Sequence, residues 1–584
     1  MRKVSRKHFS TVPVRKHWRI SALVLFVFGL SLVLVGRLVL LQITQHEAFV
    51  SRAGAQQSIS RSLPAERGEI FLSDRGEPYP VAVNRQYFLA YAVPGEVRDR
   101  FRAAHDLSQV LDVDEVSLDE KLSKENDPFE VLKHRLSDEE ADRVRALHID
   151  GVFLLPEIFR YYPGSDLASQ TIGFVGMQGD QYKGRYGIEA SFEDTLKGTV
   201  GFVSNERDAS GSWIPLVGKS FSAPEQGASL VLTIERVAQY EVEKILKDAV
   251  SNFRADGGTI IVMDPKTGSI VALASYPDFN PNEYSKTENA ETFLNPAVSF
   301  SYEPGSVMKP ITMAIGVEDG KVNANTEYVD TGFVKEGGFV IKNAEGKVYG
   351  RANMTKVLEE SINTGVIFVE RLVGNERFRE YLTRFGFGEK TGISLPAEIT
   401  GNIRNLANTD RSTEFFTASF GQGVTVTPLQ LASAYATLAN GGMLMKPRIV
   451  DRILFSDGRV ETVPPEEIRS VVSLDTAQEV GKMLRNVVVN GHGKRADVPG
   501  YLVVGKTGTA QVAKAGERGY EEGMNIGSFA GYAPLNNPKF VVLVKIDNPK
   551  GVEWAESSAA PTFQKVMKFL LESSGIEPTE STQK

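Results

Sequence analysis

The sequence predicts an α+β protein of at least two domains behind a single N-terminal membrane helix, and three observations carry that expectation. A 22-residue apolar stretch follows a basic tail, a mixed α/β region with many polar breaks comes next, and paired strand signals then enclose a long helix-rich segment. With 584 residues the chain exceeds the roughly 250–300 at which single cores stop growing.

The first element is the stretch from Ile20 to Leu41, long enough at ~1.5 Å per residue to cross a ~30 Å hydrocarbon core. Arg37 sits near its far end, where a long stem reaches the headgroups. Arg2, Lys3, Arg6, Lys7, Arg15, Lys16 and Arg19 precede it, so the positive-inside rule puts residues 1–19 in the cytoplasm and everything beyond the anchor outside. A cleaved signal peptide would have an apolar region of only ~7–15 residues and a small-residue cleavage site, which Gly36-Arg37-Leu38-Val39 does not supply.

Residues 42–224 read as a mixed α/β domain, with a turn-rich segment at Arg67–Gly76 and solvated, Leu-spaced helices from Leu118 to Ile149. A different grammar starts at Leu230–Ile234. A strand is followed by a helix with Ala238, Val242, Ile245, Leu246 and Ala249 on one face, then by runs Thr259–Met263 and Ile270–Ala274 around the turn Asp264-Pro265-Lys266-Thr267-Gly268. Gly527–Ala533 and Phe540–Ile546 form a second pair near the other end, so residues 225–572 read as an antiparallel sheet built from both ends, with a helical insertion and a cleft between the lobes. Residues 573–584 read as a flexible tail.

Composition excludes as much as it suggests. A net charge of -7 gives no reason to expect a nucleic-acid partner, and the absence of cysteine removes disulfides, thiol catalysis and zinc-thiolate sites. No metal or cofactor is expected.

The chemistry lies in three short motifs. Ser306 follows Glu303-Pro304-Gly305 and opens an apolar helical stretch, so Lys309, three residues on, lies a turn away on the same face. A lysine takes a proton from serine only if burial or a neighbouring cation lowers its pKa, so this site must be partly enclosed. Ser-x-x-Lys recurs at Ser581–Lys584, where it has no such setting. Lys-Thr-Gly occurs three times; the copies at Lys266 and Lys390 read as surface turns, while Lys506-Thr507-Gly508, leading into Thr509, follows the apolar run Tyr501–Gly505 and reads as a strand beside a cleft. Ser361-Ile362-Asn363 is the lone Ser-x-Asn, on a helix expected over Val357–Leu372.

In this order the motifs resemble those of penicillin-binding proteins and class A β-lactamases. Together with Ile261–Gly268, Phe420-Gly421-Gln422-Gly423, Thr427-Pro428 and Gly531-Tyr532-Ala533-Pro534, they are similar to the class B penicillin-binding proteins, in particular the division-type (FtsI-type) D,D-transpeptidases. Arg67-Gly68-Glu69-Ile70, Tyr162-Pro163-Gly164 and Gly187-Ile188-Glu189 resemble that family's pedestal more loosely, and Ile362 and Tyr186 depart from its pattern.

The resemblance implies an elongated pedestal, related to a dimerisation domain, and a penicillin-binding transpeptidase domain with helices on both faces of an antiparallel sheet plus an all-α lobe. It implies Ser306 as the acylated nucleophile, Lys309 as its base, Ser361 as proton relay and Asn363 as holder of the substrate amide. Lys506 would supply positive potential, Thr507, Gly508 and Thr509 the carboxylate site, and the backbone N–H groups of Ser306 and Thr509 the oxyanion hole. It also implies D-Ala-D-Ala stem peptides as substrate, β-lactams as covalent inhibitors, and a SEDS-type glycan polymerase (FtsW or RodA) with other divisome proteins as partners.

Septal wall synthesis is the expected pathway, elongation the alternative. A class A bifunctional enzyme would need a glycosyltransferase domain where the pedestal stands. A β-lactamase would make anchor and pedestal superfluous. A β-lactam sensor would need a cytoplasmic effector larger than residues 1–19, and a degenerate structural protein would have lost motif residues, none of which is missing.

Overall fold

The computed structural model describes residues 18–45, 58–63, 65–179, 181–206, 220–514 and 519–578. Most of the basic tail, the tip of the 511–525 segment and the second Ser-x-x-Lys lie outside them. Two compact units result, Met1–Ala65 with Thr199–Glu225, and Glu66–Gly198 with Gln226–Lys584.

In the first unit, helix α1 (Trp18–Val39) continues into a π-helical turn, Leu40–Thr44. The apolar span covers Trp18–Ile43, none of it buried against protein, and is long and apolar enough to cross a membrane. A three-stranded antiparallel sheet, Ser58–Leu63, Gly201–Glu206 and Ser220–Ser222, belongs to the same unit.

The second unit begins with β1 (Ile70–Asp74) and β2 (Glu77–Ala92), which pair antiparallel. The long β2 also pairs with β3 (Glu130–Leu136) and β4 (Val152–Tyr161). Helices Arg100–Leu111, Glu115–Leu122 and Asp138–Ala146 cover this sheet, burying Leu107, Leu111, Leu118, Leu122 and Val144 against Ala90, Leu132 and Leu136. The expected helices between Leu118 and Ile149 are therefore interrupted by β3, whose Glu-Val-Leu-Lys-His-Arg-Leu also fits a strand with one inward face. Below this sheet the carboxylate of Glu189, wholly buried, accepts from Arg67 Nε at 2.8 Å and Arg160 Nε at 2.7 Å. Burial works against its charge, but the two guanidiniums prevail and hold it below the ordinary glutamate range.

Strand β5 (Ser229–Glu235) pairs in parallel with β1 and antiparallel with Val450–Leu454. The strand expected to open the catalytic sheet thus joins the pedestal's sheet instead. Helix α2 (Arg236–Phe253) follows, and the catalytic sheet itself starts with β6 (Gly257–Met263) and β7 (Ile270–Tyr276). Three late strands complete it, β8 (Val504–Ala513), β9 (Tyr520–Ala533) and β10 (Phe540–Asp547), in the order β7-β6-β10-β9-β8, all antiparallel.

Every residue of β6 is buried because both faces of this sheet are covered. The middle is built of α3 (Lys309–Glu318), α4 (Met354–Glu359), α5 (Asn363–Val373), α6 (Pro428–Ala439) and α7 (Leu474–Val489), and the chain closes with α8 (Ala559–Ser573). Ile260 and Val262 pack with α2 and α8, Ile261 and Met263 with Leu431, Ala434 and Tyr435 of α6, as the two-residue period of a strand requires. The result is the α+β architecture expected, with helices on both faces of the sheet; the lobe expected to be all-α is mainly helical but also carries two small antiparallel pairs, Glu327–Asp330 with Gly350–Asn353 and Phe333–Glu336 with Phe339–Lys342, and β8 stands at the sheet edge facing that lobe.

Candidate active site

Ser306 lies in a 3₁₀ turn, Gly305–Met308, that runs directly into α3, so Lys309 is the first residue of the helix. Pro310 costs nothing there, since a first-turn N–H has no intrahelical partner. The turn is fixed from several directions. Tyr302 and Val426 exchange backbone hydrogen bonds at 3.0 Å, Gly305 N donates to Gly421 O at 3.0 Å, and Tyr435 Oη donates to Val307 O at 2.9 Å. Gly421 (φ +80°) is required: a Cβ would stand 2.2 Å from Gly305 O.

Lys309 is fully buried. Its Nζ donates to Asn363 Oδ1 at 2.7 Å, to Ser361 Oγ at 3.1 Å, and to Ser361 O. Burial pushes its pKa well below the usual amine value, and the charge of Lys506 adds to the effect. Once neutral, Nζ keeps two protons and a lone pair, so one of these contacts reverses and the amine becomes an acceptor. Among the described residues no hydrogen bond joins Ser306 Oγ to Lys309 Nζ.

The helix expected over Val357–Leu372 is two helices. The chain breaks between α4 and α5, and Ser361 sits in the break at φ +55°. A left-handed serine costs on the order of 1 kcal/mol, and here it turns both its carbonyl and its hydroxyl onto Lys309. Ile362 points the other way and is completely buried in the core, which anchors the kink; Asn363 is held by Nδ2 donating to Lys342 O at 3.0 Å.

Lys506, Thr507, Gly508 and Thr509 lie on β8, opposite Ala530, Phe529, Ser528 and Gly527 of β9. Lys506 is fully buried; its Nζ donates to Thr507 O at 3.0 Å and Thr507 Oγ1 at 3.2 Å. Burial pushes its pKa down to about 7, against the opposing pull of Glu556. Thr509 Oγ1 accepts from Ala555 N at 3.1 Å. The glycine of the motif lets the strand touch the Ser306 turn: a Cβ on Gly508 would lie 2.9 Å from both Pro304 O and Val307 Cγ1.

Ser306, Ser361, Asn363, Thr507 and Thr509 line one cleft of about 1130 Å³ between the helical lobe and the sheet. Of the other three sequence-selected residues, Lys309 is bonded to Ser361 and Asn363 behind this lining, and Lys506 and Gly508 lie on the strand that carries Thr507 and Thr509. The other Lys-Thr-Gly copies do not: Lys266 Nζ donates to Asn537 Oδ1 in the β6–β7 turn, and Thr391 is tied by its N–H and hydroxyl to Glu398.

Further side chains in and beside the cleft escaped the sequence reading. Glu303 Oε1 accepts from Gly423 N at 2.9 Å and its Oε2 from Tyr520 Oη at 3.1 Å. Tyr520 belongs to the segment 511–525, whose described residues pair Gln511 with Asn525 and Ala513 with Tyr520. His492 and Glu556 also line the cleft. A cleft-lining hydroxyl one turn from a buried amine of depressed basicity is an arrangement that acyl transfer can use.

Residues 258–568 match the family described as penicillin binding protein transpeptidase domain, and residues 62–232 the penicillin-binding protein dimerisation domain. The chain belongs to the class B penicillin-binding proteins. It is a peptidoglycan D,D-transpeptidase by family. It is 33% identical over 580 residues to stage V sporulation protein D of Bacillus subtilis, covering 98% of this chain and 88% of the relative. A probable peptidoglycan D,D-transpeptidase PbpC of Pseudomonas aeruginosa is 32% identical over 577 residues, 97% and 96% of the two chains. Among solved structures, penicillin-binding protein 3 of Mycobacterium tuberculosis in complex with ampicillin superposes with a TM-score of 0.69 at 26% identity, over 90% of this chain and 98% of that one.

Proposed function

We propose that this penicillin-binding protein cross-links peptidoglycan stem peptides through an acyl-enzyme on Ser306. The observation that carries the reading is the buried Lys309, which touches the Ser361-Ile362-Asn363 motif and feels the charge of Lys506 while standing one turn from Ser306.

In the proposed reaction the donor stem's terminal carboxylate is held by Thr507 and Thr509 against the potential of Lys506. Neutral Lys309 takes the hydroxyl proton as Ser306 Oγ bonds to the carbonyl of the penultimate D-alanine. Active-site hydrogen bonds tighten on substrate binding, so closure of Ser306 onto Lys309 belongs to this step. The backbone N–H groups of Ser306 and Thr509 receive the oxyanion; one such donor contributes about 10²–10³ in rate. The peptide C–N bond then breaks, with Lys309 returning its proton through Ser361 to the departing D-alanine amine, while Asn363 holds the substrate amide. An amine of a neighbouring stem attacks the ester, forms the cross-link and restores the Ser306 hydroxyl. A β-lactam follows the first half only, its ring C–N bond opening onto Ser306, in keeping with the ampicillin complex of the mycobacterial relative.

The domain reading places the cytoplasmic tail at 1–19, the anchor at 20–41, the pedestal at 42–224, the transpeptidase domain at 225–572 and a flexible tail at 573–584. The basic tail supports a cytoplasmic N-terminus with the cleft outside the plasma membrane. The FtsI-type motif neighbourhood favours septal synthesis over elongation, with an FtsW- or RodA-type polymerase and divisome proteins engaged through anchor and pedestal. The test is reconstitution with lipid-linked substrate and a glycan polymerase. Cross-linked product that disappears in Ser306→Ala is the expected result; no cross-linking under any condition refutes the enzyme reading.

A further inference from the structure

The two walls of the cleft are carried by different parts of the fold, and their spacing sets the distance between Ser361 on one and the Lys506–Thr509 strand on the other. A short segment after α7 touches both. Gly491 lies so close to the end of α4 that a Cβ would stand 2.5 Å from Glu359 O, two residues before Ser361. On the other side, Arg495 Nη1 donates to Ser557 Oγ at 3.1 Å. Ser557 belongs to the turn Ala555–Ser557, which is itself pinned to the catalytic strand by Ala555 N donating to Thr509 Oγ1.

His492 stands between these contacts and lines the cleft. Its Nδ1 is 3.3 Å from Glu556 Oε2, and its Nε2 is 3.9 Å from Glu360 Oε2. Glu360 immediately precedes Ser361, and Glu556 immediately follows the residue that bonds Thr509. One imidazole therefore faces a carboxylate from each wall. Glu360 also pairs with Lys356 at 2.7 Å, whereas Glu556 has His492 as its side-chain partner among the described residues.

We infer that His492 is a positioning residue for transpeptidation, clasping Glu360 and Glu556 so that Ser361 and Thr509 are held at the span the acyl transfer requires. The inference rests on the reading of Ser306 as nucleophile. It acts on geometry: Thr507 and Thr509 stay together on β8 when the clasp opens and only their distance to Ser361 changes, so its loss should slow bond formation rather than weaken capture of the ligand.

The test is stopped-flow acylation of the full-length, detergent-solubilised protein by a fluorescent penicillin, separating the dissociation constant of the initial complex from the acylation rate constant. For His492→Leu, which keeps bulk but removes both pairings, the expected result is a fall in the acylation rate constant on the order of tenfold, short of the hundredfold that a 1 Å misplacement costs. The initial dissociation constant and the melting temperature should be unchanged, and His492→Arg, which reaches both carboxylates, should restore the rate.

Glu360→Gln serves as a second route should His492→Leu fold poorly. It should slow acylation similarly, and adding His492→Arg to it should no longer rescue. An unchanged rate in either single variant, or a rise in the dissociation constant at constant rate, overturns the clasp. Ser306→Ala run alongside keeps the two claims apart: if it still labels, the nucleophile assignment fails; if it does not label and His492→Leu acylates at full rate, only the clasp fails.

Discussion

Glu370 lies on α5, the helix that starts with Asn363, and it is wholly buried with neither carboxylate oxygen hydrogen-bonded among the described residues. Burial pushes its pKa from 4.5 up to about 8, with the charge of Arg371 pulling the other way. Above pH 4.5 the unfolded chain releases the proton that the folded state retains, so stability falls as the pH rises, until Glu370 itself titrates near pH 8. At 1.36 kcal/mol per pH unit the cost accumulated between pH 5 and 7.5 is about 3 kcal/mol. Glu370→Gln cannot titrate and loses this slope. Urea unfolding followed by circular dichroism should therefore show the variant gaining on the wild type by about 3 kcal/mol from pH 5 to pH 7.5. A stability gap that is the same at both pH values would refute the account of a neutral carboxyl kept in the core.

Lys506 should give the acylation profile an alkaline limb near pH 7: it is charged below that value and loses its hold on a carboxylate above it, so penicillin binding weakens as the pH rises, and Lys506→Arg removes the limb. Gly508→Ala drives a Cβ to 2.9 Å from Pro304 O; an overpacking cost of about 1–3 kcal/mol and a loss of at least tenfold in acylation rate are expected from melting and labelling assays. In the pedestal, Glu189→Gln leaves Arg67 and Arg160 facing each other in a buried site, and should destabilise the protein by about 3–5 kcal/mol in a melt without touching the cleft.

The site was legible in the sequence because each motif lies where its local structure is locally encoded. Glycine and proline before Ser306 mark a turn into a helix, and the apolar run before Lys506 marks a strand. What escaped was set by partners far along the chain. Leu230–Ile234 has the pattern of a buried strand, but nothing local tells which sheet it enters, and it chose β1, some 160 residues earlier, over its neighbour β6. The kink at Ser361 was hidden because Val357–Leu372 keeps a helical pattern on both sides of it, and the non-glycine residue at φ +55° carries no sequence signal. Tyr520, Glu556 and His492 reach the cleft from a polar hairpin and two short loops with no periodicity to read. Their place in the cleft exists only once β8 and the helical lobe have been brought together.

The claim on which the rest depends is covalent chemistry at one hydroxyl. Peptide mapping by mass spectrometry of the full-length protein after incubation with a penicillin should find the opened lactam on the peptide containing Ser306, and Ser306→Ala and Lys309→Ala should yield none or only traces. An adduct on any other residue, or a Ser306→Ala protein that labels like the wild type, would contradict the account.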